Sequence, residues 1–176
     1  MTSEEPVTEG ADSAGTSATE LITVHVLGLP LALQEQAQEQ NSELTRELTL
    51  IGIRLHQQGS SGELPVRLVA LIDQLTGRYS SFTVAQEQQL VDAVAAGLET
   101  VDLVYEVPAS VALAARALSD ILDEADEYCR AGRHLLTLAT PDELVTYRRW
   151  FLDQFIDQAA GRPPVRWADH QRERQG

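Results

Sequence analysis

Two short runs in this chain alternate apolar and polar residues clearly enough to be strands. In "LITVHVLGLP", residues 21–30, Ile22, Val24 and Val26 fall on one side and Thr23 and His25 on the other, until Gly28 and Pro30 end the run. In "TVDLVYEVP", residues 100–108, Val101, Leu103, Tyr105 and Val107 repeat the pattern up to Pro108. A period of two marks a half-buried strand. A lone strand leaves its backbone N–H and C=O groups without partners, so the two runs are expected to pair with each other. Their relative direction is not written in the pattern.

The remaining sequence between the tails has helical period. Leu33, Ala37, Leu44, Leu48, Ile51 and Leu55 mark a first helix, and Leu64, Leu68, Leu71, Ile72, Leu75 and Tyr79 a second. Thr83 followed by Gln86 has the form of a capping box, opening a third helix through Leu90, Val91, Val94 and Leu98. A fourth runs from Ser110 to Arg130 and closes at Gly132. Thr140, Pro141 and Glu143 supply an N-cap, a first-turn proline and an acid three residues on, and the fifth helix they open ends at Gly161. The expected fold is mainly α: a five-helix, bundle-like domain with a small two-stranded β element, α+β at the margin. Residues 1–20 read as a disordered acidic tail, 21–160 as a single helical domain, and 161–176 as a flexible C-terminal arm in which Trp167 is suited to docking back.

Charge and composition narrow the function. The net charge is −14, which disfavours nucleic acid or an anionic membrane as partner, because both recruit clustered Lys and Arg. All 13 basic residues are arginine. Without lysine there is no P-loop lysine, Schiff-base lysine or kinase strand lysine. One cysteine cannot close an internal disulfide. The N-terminal "MTSEEPVTEGADSAGTSATE" has neither a basic start nor an apolar run, so a cytoplasmic location is expected.

The stretch "LSDILDEADEYCRAGRH", residues 118–134, concentrates Asp120, Asp123, Glu124, Asp126, Glu127, Cys129 and His134. On a helix, Leu118, Ile121, Leu122, Ala125, Tyr128 and Cys129 share one face, and the acids project on the other. A carboxylate metal site in a bundle needs inward ligands from several helices, commonly with a Glu-x-x-His element, and none is present. The acids therefore read as a solvated face, and Cys129 as a buried, inert thiol. His25, His56, His134 and His170 sit in separate elements. No catalytic residue, cofactor or metal is expected.

Two residues of the last helix break its pattern. Arg148 projects into the apolar face made by Leu144, Tyr147, Phe151, Leu152, Phe155 and Ala159. Burying a lone guanidinium is costly, so Arg148 either pairs with an acid such as Glu43 or Glu47 or opens on a groove for an anionic group. Trp150 projects beside Asp153 and Asp157. Next to Arg149 it has the composition of an interface hot spot, and it suits equally well packing beneath the strands or the C-terminal arm.

In order along the chain, "VHVLGLPLALQEQAQEQNSELTRELTLI", "TVDLVYEVP" and "ILDEADEYCRAGRHLLTLATPDELVTYRRWFLDQF" resemble a family of uncharacterised actinobacterial proteins over residues 21–160. Members occur with anti-sigma-factor ATP-binding proteins, STAS-type antagonists and PP2C-like phosphatases. The segment "QEQAQEQNSEL" departs from a more charged, His-containing family pattern. The resemblance implies a regulatory role in partner switching and brings no catalytic residue with it. The resulting expectation is a non-enzymatic protein-interaction domain whose partner is an ATP-binding or STAS protein, contacted through Arg148, Arg149 and Trp150. The alternatives are a small-molecule sensor with a pocket beside Arg148, and an enzyme. A homodimer is compatible with the leucine stripes of the first two helices.

Overall fold

The computed structural model describes residues 20–57, 64–130 and 140–175. Along the chain they form β1 (Leu21–Pro30), α1 (Leu31–Gln57), α2 (Leu64–Tyr79), a 3-10 turn (Ser80–Phe82), α3 (Val84–Ala95), β2 (Thr100–Pro108), α4 (Val111–Arg130), α5 (Asp142–Ala159) and α6 (Trp167–Gln175). The fold is mainly helical with one small sheet, as the periodicity indicated. Of the acidic tail, only Glu20 lies within the described residues.

The strands pair antiparallel, from Leu21 opposite Pro108 to Pro30 opposite Thr100. The alternation holds: Val24, Val26, Leu103, Tyr105 and Val107 are buried on one face. Between Val26 and Leu29 the register slips, and Gly28 takes a positive φ of 67° at that bulge. A side chain at this backbone conformation is strained, and an added Cβ would also stand 3.1 Å from Arg166 Nη1. The Gly28 N–H, turned out of the ladder, donates to Asp102 Oδ1 at 2.6 Å. That bond and the neighbouring Arg166 hold the Asp102 carboxyl below the ordinary carboxylate range, against the opposing effect of burial.

A two-stranded sheet has two free edges, and both are engaged by glutamine side chains. Gln158 of α5 meets β1 at His25, accepting from its N–H at 2.9 Å and donating to its C=O at 2.8 Å, as a neighbouring strand would. Gln86 of α3 donates to the Val104 carbonyl of β2. This is why α3 has no capping box: the Gln86 side chain is turned inward, and the Thr83 hydroxyl bonds Ser80 O and Glu87 instead of a helix N–H.

Two apolar clusters follow. The larger joins the sheet's inner face to α5, α3, the start of α4 and Trp167, with Tyr105 edge-on to Phe155 at 5.2 Å. The smaller ties α1, α2 and α4 through Leu44, Leu68, Ile121, Leu122 and Ala125. Leu118 packs against both, so α4 connects them.

Helix ends differ from expectation in two places. α3 stops at Ala95, short of Leu98: Gly97 at φ 68° follows its cap, and Gly97 N–H and Leu98 N–H return to Val94 O and Ala93 O. That is a Schellman closure, and Gly161 after α5 makes the same one, with Arg162 N–H on Asp157 O. The N-cap of α5 is Pro141, one residue after the expected Thr140. The C-terminal arm, expected to be loose, contains a sixth helix and buries Trp167.

Candidate functional site

Arg148 lies between α4 and α5. Its Nη2 donates to Asp123 Oδ1 at 2.5 Å and to Asp126 Oδ2 at 2.9 Å, and Arg149 donates to Asp123 Oδ2 from Nη2 at 2.7 Å. Where Glu43 or Glu47 of α1 was expected, α4 supplies the acids. The helix geometry explains the choice. Asp126 is four residues beyond Leu122, about 40° round the helix from it, which places it at the rim of the apolar stripe. The acidic face of α4 is thus not wholly solvated: the Asp126 side chain is 4 % exposed and that of Arg148 11 %. Partial burial acts to raise the Asp123 carboxyl, but Arg149 and then Arg148 outweigh it and hold it below the usual value. Asp123 in turn raises the Arg149 guanidinium above its ordinary value. Two cations and two anions balance, and the cluster ties two helices together.

Trp150 leaves α5 on a different side and is 1 % exposed. Its indole N–H donates to Val165 O at 2.8 Å, and its ring meets Trp167 edge-on at 5.2 Å. Gln154 completes the clasp: its Oε1 accepts from Val165 N–H at 3.0 Å, and its Nε2 donates to Trp150 O. The peptide groups of Val165 are thereby both satisfied by α5 side chains. Of the two positions open to Trp150, the structure has the one beneath the C-terminal arm. Arg148, Arg149 and Trp150 therefore form no common surface. Arg148 is spent on α4, Trp150 on the arm, and only Arg149 stands exposed.

The histidines do not converge among the described residues. His25 is engaged through its backbone, and the His170 ring stacks on Trp167 at 5.8 Å. The side chains of His56 and Cys129, and all of His134, lie outside the described residues. Among the described residues, no three His, Cys, Asp or Glu side chains gather as a metal site, and no helix is long and apolar enough to cross a membrane.

The outside of α3 is a further exposed apolar surface. The residues that marked this helix in the sequence, Leu90, Val91, Val94 and Leu98, do not face the core together. Instead the buried residues of α3 are Gln86 and Ala93, with Leu90 half-buried, while Val84, Val91 and Val94 stand 61–63 % exposed. Leu98, just past the helix, is 53 % exposed. Along their flank runs an open groove of about 410 Å³, lined by Leu31, Gln34, Glu35, Gln38, Glu87, Leu90, Val91 and Val94. The backbone closes its end where Leu31 N–H donates to Glu99 O at 3.0 Å. Gln34 is steadied by the Tyr147 hydroxyl, and Glu87 by Thr83 at 2.9 Å. One signal in the sequence pointed here: α3 carries two apolar arcs, Leu90 with Ala93 and Val84 with Val91 and Val94, and one core contact uses only one of them.

Comparison of the chain with protein-family models, with curated proteins and with solved structures finds no match.

Proposed function

We propose that the chain is a non-enzymatic regulatory domain that binds another protein, within a partner-switching circuit of the anti-sigma type. The observation that carries the reading is the valine stripe of α3: three β-branched apolar side chains held in water beside a groove with carboxylates on both walls. Single exposed apolar residues are ordinary, whereas an aligned set beside a groove is what a partner's side chains cover. The circuit comes from the resemblance of residues 21–160 to proteins that accompany ATP-binding anti-sigma factors and STAS antagonists. The contact moves from Arg148, Arg149 and Trp150 to α3. A sensor pocket at Arg148 is disfavoured, because Asp123 and Asp126 already occupy its guanidinium.

The test is direct binding of the purified full chain to the ATP-binding anti-sigma-type and STAS proteins of the same organism, by titration calorimetry. Micromolar or tighter association with one of them is expected. No association with any of them at about 100 μM, an affinity near the floor for specific recognition, refutes the circuit.

A further inference from the structure

We infer that the outer face of α3, together with the first half of α1, is the seat for one basic, amphipathic helix of a partner protein. This rests on the reading of the chain as a protein-interaction domain, and it names what that domain holds.

The spacing argues for a helix. Val84, Val91 and Val94 stand at i, i+7 and i+10, three of the four positions of a heptad seam, and Glu87 occupies the fourth, i+3. A strand would need free backbone groups to pair with, and the walls here are helices whose interior N–H and C=O groups are already bonded along the helix. Only side chains are offered, so the occupant must present side chains at helical spacing. From Val84 to Val94 is about 15 Å along the axis, and Leu98 extends the apolar line past the cap, which calls for an occupant of about four turns.

The charge argues for a basic one. Glu35, Glu39 and Glu43 project from α1, and Glu87, Asp92 and Glu99 from α3 and the turn after it, all exposed. No Lys, Arg or His lies anywhere in residues 31–45 or 83–102. An occupant with Arg or Lys flanking its apolar stripe meets complementary charge on both walls. A second copy of this chain would bring the same carboxylates against their equivalents, within the Debye length of about 8 Å. An anionic membrane or a nucleic acid is repelled by the same groups.

The face is also fixed in place. Turning α3 to bury the valines would withdraw the buried Gln86 from the β2 edge, where its amide bonds Val104 O, and lift Ala93 out of the core. The stripe is exposed because the helix is locked by its other side.

The probe is a fluorescein-labelled peptide of about five turns with Leu at heptad positions and Arg beside them. Two controls accompany it: the same composition scrambled, and a Leu/Glu counterpart. Fluorescence anisotropy against the full chain is expected to show binding of the patterned basic peptide, about tenfold weaker binding of the scrambled one, and none of the acidic one. Val91→Ser with Val94→Ser, which removes the apolar contact without adding charge, should weaken the patterned peptide by about tenfold or more, with the circular dichroism spectrum and thermal midpoint unchanged. Glu35→Gln with Glu87→Gln should weaken it less and flatten its dependence on salt.

Equal binding of the scrambled peptide, or indifference to the paired serines, overturns the inference. So does a dimer in sedimentation equilibrium that the paired serines abolish, since the face would then belong to a second copy. Peptide binding at α3 without any binding of the ATP-binding or STAS proteins upholds the seat and sinks the circuit. Binding of those proteins that the paired serines leave untouched sinks the seat and keeps the circuit.

Discussion

Replacing Arg148 with methionine tests what the cluster between α4 and α5 contributes. Methionine keeps the length and packing of the side chain and removes the charge. Asp123 keeps Arg149, but Asp126, with a side chain 4 % exposed, then faces no cation at hydrogen-bond distance. Breaking a buried pair from one side costs about 3–5 kcal/mol, because the remaining charge is neither solvated nor compensated. A loss of about 3–4 kcal/mol corresponds to a fall in melting temperature of about 10 °C for a domain of this size. Urea denaturation followed by circular dichroism at pH 7 measures it directly. The sign of the pH dependence is also defined. In the wild type the lowered Asp123 carboxyl stabilises the fold above the ordinary aspartate value, and that contribution is lost as pH falls through its folded value. Arg149, the larger cause of that lowering, stays in the variant, so both proteins lose this contribution over the same range, below the ordinary aspartate value. Adding Asp126→Leu to the variant should recover most of the loss, since a packed apolar replacement of a buried pair is often neutral. A single variant within about 1 kcal/mol of wild type at pH 7, as for a surface pair, would refute the reasoning. So would a double variant no more stable than the single.

Trp150→Ala should cost about 3–5 kcal/mol in the same urea assay and release the C-terminal arm to proteolysis, whereas a surface tryptophan would cost almost nothing. Gly28→Ala should destabilise by about 1–2 kcal/mol or more from its positive φ and the approach of Arg166, and Gly97→Ala, with the same φ and open space, by the backbone cost alone, about 1 kcal/mol. Burial pushes the Tyr105 hydroxyl up to about 12 and that of Tyr147 higher still, so ultraviolet titration should find both un-ionised at pH 11. Their folded values lie above the unfolded one, so the stability they contribute is whole below about pH 10 and is lost as pH rises through the folded values.

Periodicity and turn chemistry were enough to place the strands, their buried parity and the span of α2, because each is a local property of consecutive residues. Gly161 could likewise be read as the end of α5, since a left-handed residue after a helix is a local requirement that glycine meets. The antiparallel direction, the acids that take Arg148 and the cover over Trp150 could not be read. Each depends on residues far apart in sequence: Asp126 lies 22 positions from Arg148, and Val165 lies 15 from Trp150. α6 has too few apolar residues to show helical period, and among its described side chains Trp167 is the one buried in the core. The outward valines of α3 show the division most clearly. The sequence supplied two apolar arcs on one helix, and only packing against β2, with Gln86 bonded to its edge, determined which arc went in and which was left exposed.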